Sequence, residues 1–272
     1  MQNELMIPSR IVERDRSDQK RDMKLSVVTA VLNGSRTIVS TLDSVASQTH
    51  PDIEHIVIDG ASKDDTVNVV RAKGTRVAKL ISERDTGVYD AFNKGLRQCT
   101  GDVIGFLNCG DTYTSPDVLS RIAREFAASD AEAVYGDVAI VDEVDGRCIR
   151  RYRSSWFTPQ RIAYGFMPAH PALFIRRDVY QRFGEYDPSF RIAGDFELVA
   201  RIFGRGHTKS RYLPEVMVRM PRGGLSTNGI RSNWVITQEM RRACRMNGIS
   251  SGWLRLCLRF PIKLTEMLVR QG

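Results

Sequence analysis

No window of this 272-residue sequence approaches 18 uninterrupted apolar residues, which excludes a conventional membrane-spanning helix. Cysteine is sparse and unpaired. The five residues Cys99, Cys109, Cys148, Cys244 and Cys257 form no C-x-x-C pair, so neither a disulfide framework nor a zinc knuckle is expected, and a reducing, cytoplasmic setting is. His50, His55, His170 and His207 lack ligand spacing. Glycine is missing where nucleotide-binding loops need it. The turn after the first apolar run reads Thr29-Ala-Val-Leu-Asn-Gly-Ser35, which has neither the G-x-G-x-x-G pattern nor a Walker A loop. Any diphosphate would then need a divalent cation held by carboxylates. Residues 1–22 are polar and charged without an apolar stretch, so a disordered leader is expected there and a secretory signal is not.

What is present is a sufficient core and a lopsided charge. Apolar residues make up 42% of the chain, too much for global disorder. Of the net charge of +8, the segment from Arg222 to the end contributes +7, with nine Lys/Arg against two acidic residues. A nucleic-acid enzyme carries its basic surface around its groove. Here the charge sits on an appendage, which points to a docking surface and away from nucleic acid.

The first half alternates strand and helix patterns. Strands are expected at 25–31, 55–59, 78–82 and 102–107, with helices between them; the one from about 86 to 98 places Val88, Phe92 and Leu96 on one face. This order implies right-handed βαβ units and an α/β fold with a mostly parallel sheet flanked by helices. Ligands bind such sheets beyond the carboxyl ends of the strands. Later segments are less regular: 133–137 and 172–176 read as strands, and 196–203 as a helix. The division expected is a main domain over 23–221 and a basic helical extension over 222–272.

Four acidic residues fall near strand ends or a helix start: Asp59, Asp85, Asp111 and Asp195. Each has an ordinary alternative, Asp59 and Asp111 as turn residues and Asp195 as a helix N-cap. Three carboxylates feeding one cleft, with a fourth downstream, favour a site.

The motifs around them resemble glycosyltransferase family 2, the inverting nucleotide-sugar transferases of GT-A fold. They are Val27-Val-Thr-Ala-Val-Leu-Asn33, Ile58-Asp-Gly-Ala-Ser-Lys-Asp-Asp-Thr66, Glu83-Arg-Asp-Thr-Gly-Val-Tyr-Asp-Ala-Phe-Asn-Lys-Gly95, Phe106-Leu-Asn-Cys-Gly-Asp111, His170-Pro-Ala-Leu-Phe-Ile-Arg-Arg177 and Ala193-Gly-Asp-Phe-Glu-Leu198. The stretch from Asp85 to Gly95 and the later Gly223-Gly-Leu-Ser226 look like the subgroup that builds exopolysaccharide, O-antigen and related surface glycans.

The resemblance implies a role for each position. Asp59 would accept a hydrogen bond from the nucleotide base, with Thr29, Ala30 and Asn33 lining the same pocket. A uracil or thymine N3–H needs such an acceptor, so a UDP- or dTDP-sugar donor is favoured, though the same carboxylate would also accept from guanine. Asp85 would contact the nucleoside, with Asn93 and Lys94 farther along that wall. Asp111 would hold Mg²⁺ or Mn²⁺ against the diphosphate, and Asp195 would be the general base. His170 would touch the donor diphosphate or the acceptor, or serve structure alone. The sequence departs from the family in one place: where many relatives have D-x-D-D, it reads Asn108-Cys109-Gly110-Asp111, so one carboxylate remains for the metal. The acceptor implied is a glycan or lipid-linked hydroxyl in cell-envelope polysaccharide biosynthesis. A sugar nucleotidyltransferase lacks its phosphate loop here, and a non-catalytic binding relative stays open through Asn108.

From Trp253 to Arg270 the pattern is amphipathic at helical spacing. Arg255, Arg259, Lys263, Glu266 and Arg270 share one face, opposite Trp253, Leu256, Phe260, Leu264, Met267 and Leu268. Pro261 is expected to kink or split it. Such a helix either lies on an anionic membrane, placing the protein at the inner face of the cell membrane, or packs back on the domain.

Overall fold

The computed structural model describes residues 23–204, 208–222 and 229–258. The N-terminal leader, the Gly223–Ser226 motif and the tail beyond Leu258 lie outside the described residues.

The chain opens with β1 (Leu25–Val31), α1 (Ile38–Ala46), β2 (Ile53–Asp59), α2 (Thr66–Lys73), β3 (Val77–Ser82), α3 (Val88–Gln98) and β4 (Val103–Phe106). β1, β2, β3 and β4 pair in parallel, as the alternation predicts. β1 continues outward to β2 and β3, and the chain then returns to lay β4 on the other side of β1. The sheet's direction of growth reverses between β1 and β4, and the loops leaving those two strands diverge into a crevice.

There follow β5 (Thr112–Tyr113), α4 (Val118–Ala128), β6 (Ala133–Val141), β7 (Cys148–Tyr152), β8 (Leu173–Arg176), α5 (Arg177–Phe183), α6 (Gly194–Phe203), β9 (Ser210–Pro221), α7 (Gly229–Met246) and α8 (Trp253–Cys257). The nine strands form one sheet in the order β3-β2-β1-β4-β8-β6-β9-β5, with β7 also on β6. Its second half departs from the parallel pattern. β8 runs antiparallel to β4 and β6, and only β6 with β9 adds a further parallel pair. The reason lies in the connections: between β7 and β8 the chain makes only short 3-10 turns and no α-helical crossover, and β8 enters against its neighbours.

Helices cover both faces. On one, Val28, Ile56, Ile58, Ile104 and Phe106 pack against Phe92 of α3 and against Phe196 and Phe203 of α6. On the other, Leu25, Val27 and Val103 meet Leu119, Ile122 and Phe126 of α4, while Ile38, Leu42 and Val70 cover Val31 and Val57. The basic extension is anchored: Met240, Ala243 and Cys244 of α7 and Leu256 of α8 are buried in the first of these cores. Among the described residues, no helix is long and apolar enough to cross a membrane.

Candidate active site

Register brings the strand ends level. Val31 stands beside Asp59, and Asp59 beside Ser82, so three loops open at the same height. The Asp59 carboxylate does not face outward from them. It is fully buried and accepts the Ser62 hydroxyl, the Ser62 N–H at 3.1 Å and the Ser82 hydroxyl at 2.6 Å. Asp59 therefore organises the turn that follows it. Asn33 braces the same turn: its N–H donates to Ser62 Oγ at 2.7 Å, and its Oδ1 accepts from Lys63 N–H at 2.8 Å. Asn33 and Ala61 both adopt left-handed backbone angles, φ 51° and 61°.

Asp85 comes against this turn from β3. A Cβ on Gly60 would lie 2.4 Å from Asp85 Oδ2, so only glycine leaves room for the carboxylate. Asp85 Oδ1 also accepts the Gly87 N–H at 3.1 Å, at the start of α3. Lys94 secures the loop from below by donating to the Arg84 carbonyl and pairing with Glu83 at 3.0 Å. Ala30, half-buried, sits near the end of β1 on the face covered by α3.

Two of the expected pocket residues serve the interior instead. Thr29 is fully buried; its hydroxyl donates to the Leu107 carbonyl at 2.8 Å and lies 3.0 Å from His55 Nε2. With its proton committed, it accepts from that ring, which burial keeps neutral with a pKa near 4. Asn93 clamps the backbone of Tyr186, donating to its carbonyl at 2.8 Å and accepting its N–H at 2.9 Å. Both side chains are buried, and these bonds turn them toward the interior.

The loop after β4 closes the crevice. Cys109 Sγ lies 3.2 Å from Thr37 Oγ1, and a Cβ on Gly34 would stand 2.7 Å from that sulfur. Thr41 locks Asp111 in place by accepting the Gly110 N–H and donating to the Asp111 carbonyl, both at 2.9 Å. Asp111 is buried, and its Oδ2 has no hydrogen-bond partner among the described residues. Burial pushes its pKa up to about 7, against the opposing pull of Asn108. An enclosed, unpaired carboxylate oxygen is costly unless something positive completes it. A hard divalent cation fits that oxygen. Among the described residues no group of three or more His, Cys, Asp or Glu gathers around one point, so a cation at Asp111 would lack a full protein cage. Mg²⁺ and Mn²⁺ tolerate such sites because water and phosphate fill the remaining positions.

Asp195 lies in the first turn of α6, two residues after the N-cap Ala193. It is therefore not itself the cap. Its Oδ1 accepts from Phe196 N–H at 2.8 Å and lies 3.3 Å from the Tyr89 hydroxyl. Burial raises its pKa to about 6, with those hydrogen bonds opposing. Tyr89 stacks on Tyr186 at 5.9 Å, and between residues 86–90 and 188–191 lies a cleft of about 160 Å³. His170 is buried beneath this layer. Its Nε2 is 2.8 Å from the Tyr186 hydroxyl and its ring stacks on Phe92 at 5.3 Å, so it is a neutral support with a pKa near 4.

Nothing in the sequence marks Tyr89 or Tyr186 by its own pattern. Tyr89 stood within the Asp85–Gly95 motif, whereas Tyr186 carried no local signal.

A parallel four-strand crevice at the head of a mixed sheet flanked by helices is the architecture of a GT-A glycosyltransferase. The model of "Glycosyl transferase family 2" matches residues 26–184, and the chain belongs to that family. It is a glycosyltransferase enzyme. It is 29% identical over 254 residues, 90% of both chains, to a "PGL/p-HBAD biosynthesis glycosyltransferase" of Mycobacterium bovis. It is also 30% identical to an uncharacterised glycosyltransferase of Mycobacterium tuberculosis, over 65% of this chain and 68% of that one. Among solved structures, S. aureus TarS 1-349 in complex with UDP-GlcNAc superposes with a TM-score of 0.65 at 18% identity, over 81% of this chain and 66% of that one. The mannosyltransferase PcManGT from Pyrobaculum calidifontis, in complex with GDP-Man and Mn²⁺, does so with 0.58 at 17% identity, over 90% and 81%. These two likenesses concern the fold.

Proposed function

We propose that this enzyme transfers one sugar from a nucleotide-sugar donor to a glycan or lipid-linked hydroxyl with inversion, in a single displacement with Asp195 as general base. The observation that carries it is the Asp195 carboxyl, whose raised pKa near 6 suits a base working at neutral pH. Below its pKa it could not accept a proton; above it, the carboxylate takes the proton of the attacking hydroxyl as the bond to the anomeric carbon forms. Tyr89, which lines the cleft, and the Phe196 N–H hold Oδ1, so Oδ2 is the oxygen assigned to take the proton.

The donor's nucleoside meets the wall formed by Asp85, Asn33, Ala30 and the Asp59–Ser62 turn. An acidic acceptor there fits a UDP or dTDP base, read through its N3–H. Asp111 would hold Mg²⁺ or Mn²⁺. When bound, the cation supplies positive charge against the departing diphosphate. The relative named for PGL/p-HBAD biosynthesis supports an acceptor belonging to the cell envelope.

The same reading puts the protein on the inner face of a membrane through α7 and α8. Trp234 and Trp253 stack at 4.7 Å with the Arg241 guanidinium 6.0 Å from the Trp253 ring, and Leu254 and Leu258 are exposed. Aromatic and aliphatic side chains beside arginines suit an anionic lipid surface.

The deciding experiment is nucleotide release from UDP-, dTDP- and GDP-sugars, with and without Mg²⁺ or Mn²⁺, for wild type, D111A and D195N. Turnover of one donor that needs metal and falls at least about 10²-fold in both variants is expected. Binding without turnover in the wild type would replace the proposal with a nucleotide-sugar-binding role.

A further inference from the structure

The amino end of α6 begins at Ala193, which has no capping side chain. A carboxylate from α7 takes that place. Glu239 Oε1 accepts the Arg191 N–H at 2.8 Å, and Oε2 accepts those of Ile192 at 2.9 Å and Ala193 at 2.8 Å. Three successive amides converge on one carboxylate, two from the loop and the N-cap's own, and place its charge at the positive end of the α6 dipole. Three residues along, on the same side of α7, Arg242 donates to Ser189 Oγ at 2.7 Å and lies 4.3 Å from the Phe190 ring centre. Its guanidinium is also 3.8 Å from Asp187. The helix thus grips the segment 187–193 at both ends. Two residues beyond stands Asp195, and within the segment lies the Ile192 carbonyl that accepts the Tyr89 hydroxyl.

We propose that Glu239 is a positioning residue for catalysis: by fixing the amides of 191–193 it sets where Asp195 and the Tyr89 hydroxyl stand, with Arg242 as the second point of the clamp. This rests on Asp195 being the base. It also makes the basic C-terminal extension part of the active-site architecture, since the residues that hold the base loop lie on it.

The titratable groups facing Asp195 are Tyr89 from α3, Tyr186 from the loop ahead of α6 and Glu239 from α7. Of these Glu239 is the anion, and its charge opposes ionisation of Asp195. A clamp that merely kept the protein folded would affect stability. One that positions the base affects turnover and its pH dependence as well.

The test compares E239A, E239Q, D195N and N247A in the full chain, using whichever of UDP-glucose, UDP-GlcNAc, dTDP-rhamnose or GDP-mannose the wild type hydrolyses. Asn247 anchors α7 through Glu197 at 3.2 Å without reaching the 187–193 segment, so N247A reports loosening of the helix alone. E239A is expected to lower kcat at least about 10-fold with donor KM within about 3-fold, as a misplaced group would. Amides 191–193 exchange faster in E239A. E239Q, similar in shape and uncharged, recovers part of kcat and moves the acidic limb of kcat/KM to lower pH. N247A loses thermal stability with kcat kept. If both Glu239 variants keep the wild-type kcat and acidic limb, falling only in melting temperature as N247A does, the positioning role is wrong. Should D195N keep turnover, the base assignment falls and this proposal with it. An inactive D195N beside fully active Glu239 variants overturns the positioning role alone.

Discussion

The Tyr89 hydroxyl stands 3.3 Å from Asp195 Oδ1 and 2.5 Å from the Ile192 carbonyl, so one proton serves two acceptors at the edge of the cleft. Y89F removes that donor from both. A neutral hydrogen bond contributes about 1 kcal/mol, so a fall in kcat of about 5- to 10-fold is expected, with donor KM nearly unchanged. Because the bond favours ionised Asp195, its loss moves the acidic limb of the pH profile upward. Steady-state kinetics between pH 5 and 8 would check both, and an unmoved limb would separate Tyr89 from the base.

The pH profile of the wild type follows from the same carboxyl. Asp195 titrates near 6 in the fold against an ordinary value of 3.8, and only its ionised form takes a proton. Expected is a kcat/KM that is level above about pH 7 and falls tenfold per unit below about pH 6. The sign for stability is opposite. A raised carboxyl pKa means that ionised Asp195 weighs against folding above its unfolded value, so D195N should melt no lower than wild type at pH 8. A calorimetric melting curve of each protein measures this.

Asp111 presents the clearest conflict between stability and use. Its Oδ2 is buried and unpaired among the described residues. D111N removes that buried charge and is expected to raise the melting temperature while abolishing metal-stimulated nucleotide release, by about 10²-fold or more. EDTA should reproduce the activity loss in wild type, reversed by Mg²⁺ or Mn²⁺. Full activity of D111N in EDTA would remove Asp111 from metal binding.

At Gly60 the crowding atom is the tip of a side chain. G60A should leave the fold intact and turn Asp85 out of place, since its Cβ would come within 2.4 Å of Oδ2. The outcome sought is a rise in donor KM of about 10-fold or more with kcat changed far less, the mark of lost ground-state binding. Isothermal titration with UDP gives the same answer without an acceptor.

The exposed α7–α8 surface predicts binding to anionic vesicles. Sedimentation with phosphatidylglycerol liposomes should recover wild type at low salt and much less of W234A/L254A, whose side chains are 55% and 79% exposed. Equal recovery of both, or binding to neutral phosphatidylcholine alone, would count against the lipid reading.

The sequence announced the first half of the fold almost to the residue. β1 and β2 end where the apolar runs end, because buried parallel strands need continuous β-branched stretches. The second half was harder. β9 runs from Ser210 to Pro221 with Pro214 inside it and buries only Met217 and Val218 fully, so neither alternation nor an apolar run marks it. α7 falls inside the segment expected as a basic helical extension, but its charge-rich sequence marks neither of its ends, and the amphipathic pattern from 253 to 270 lies mostly outside the described residues.

At the site, motifs located loops better than they located side chains. Thr29 and Asn93 belong to matching motifs, yet both are buried and bond the Leu107 carbonyl and the Tyr186 backbone. A motif fixes chain position; which way a side chain turns depends on partners far along the sequence. Glu239 is the extreme case, 46 to 48 residues from the amides it holds, with nothing in its own neighbourhood to mark it.

That separation has a consequence for how the molecule comes into being. A ribosome adds about 5–20 residues per second. Asp195 and its loop therefore leave the exit tunnel some seconds before residue 239 can reach them. The parallel half of the sheet can assemble by then, but the base loop has no clamp to settle into. On the roles proposed for Asp195 and Glu239, competence arrives late in synthesis, and a chain cut short before α7 would have the parallel crevice without the clamp on segment 187–193.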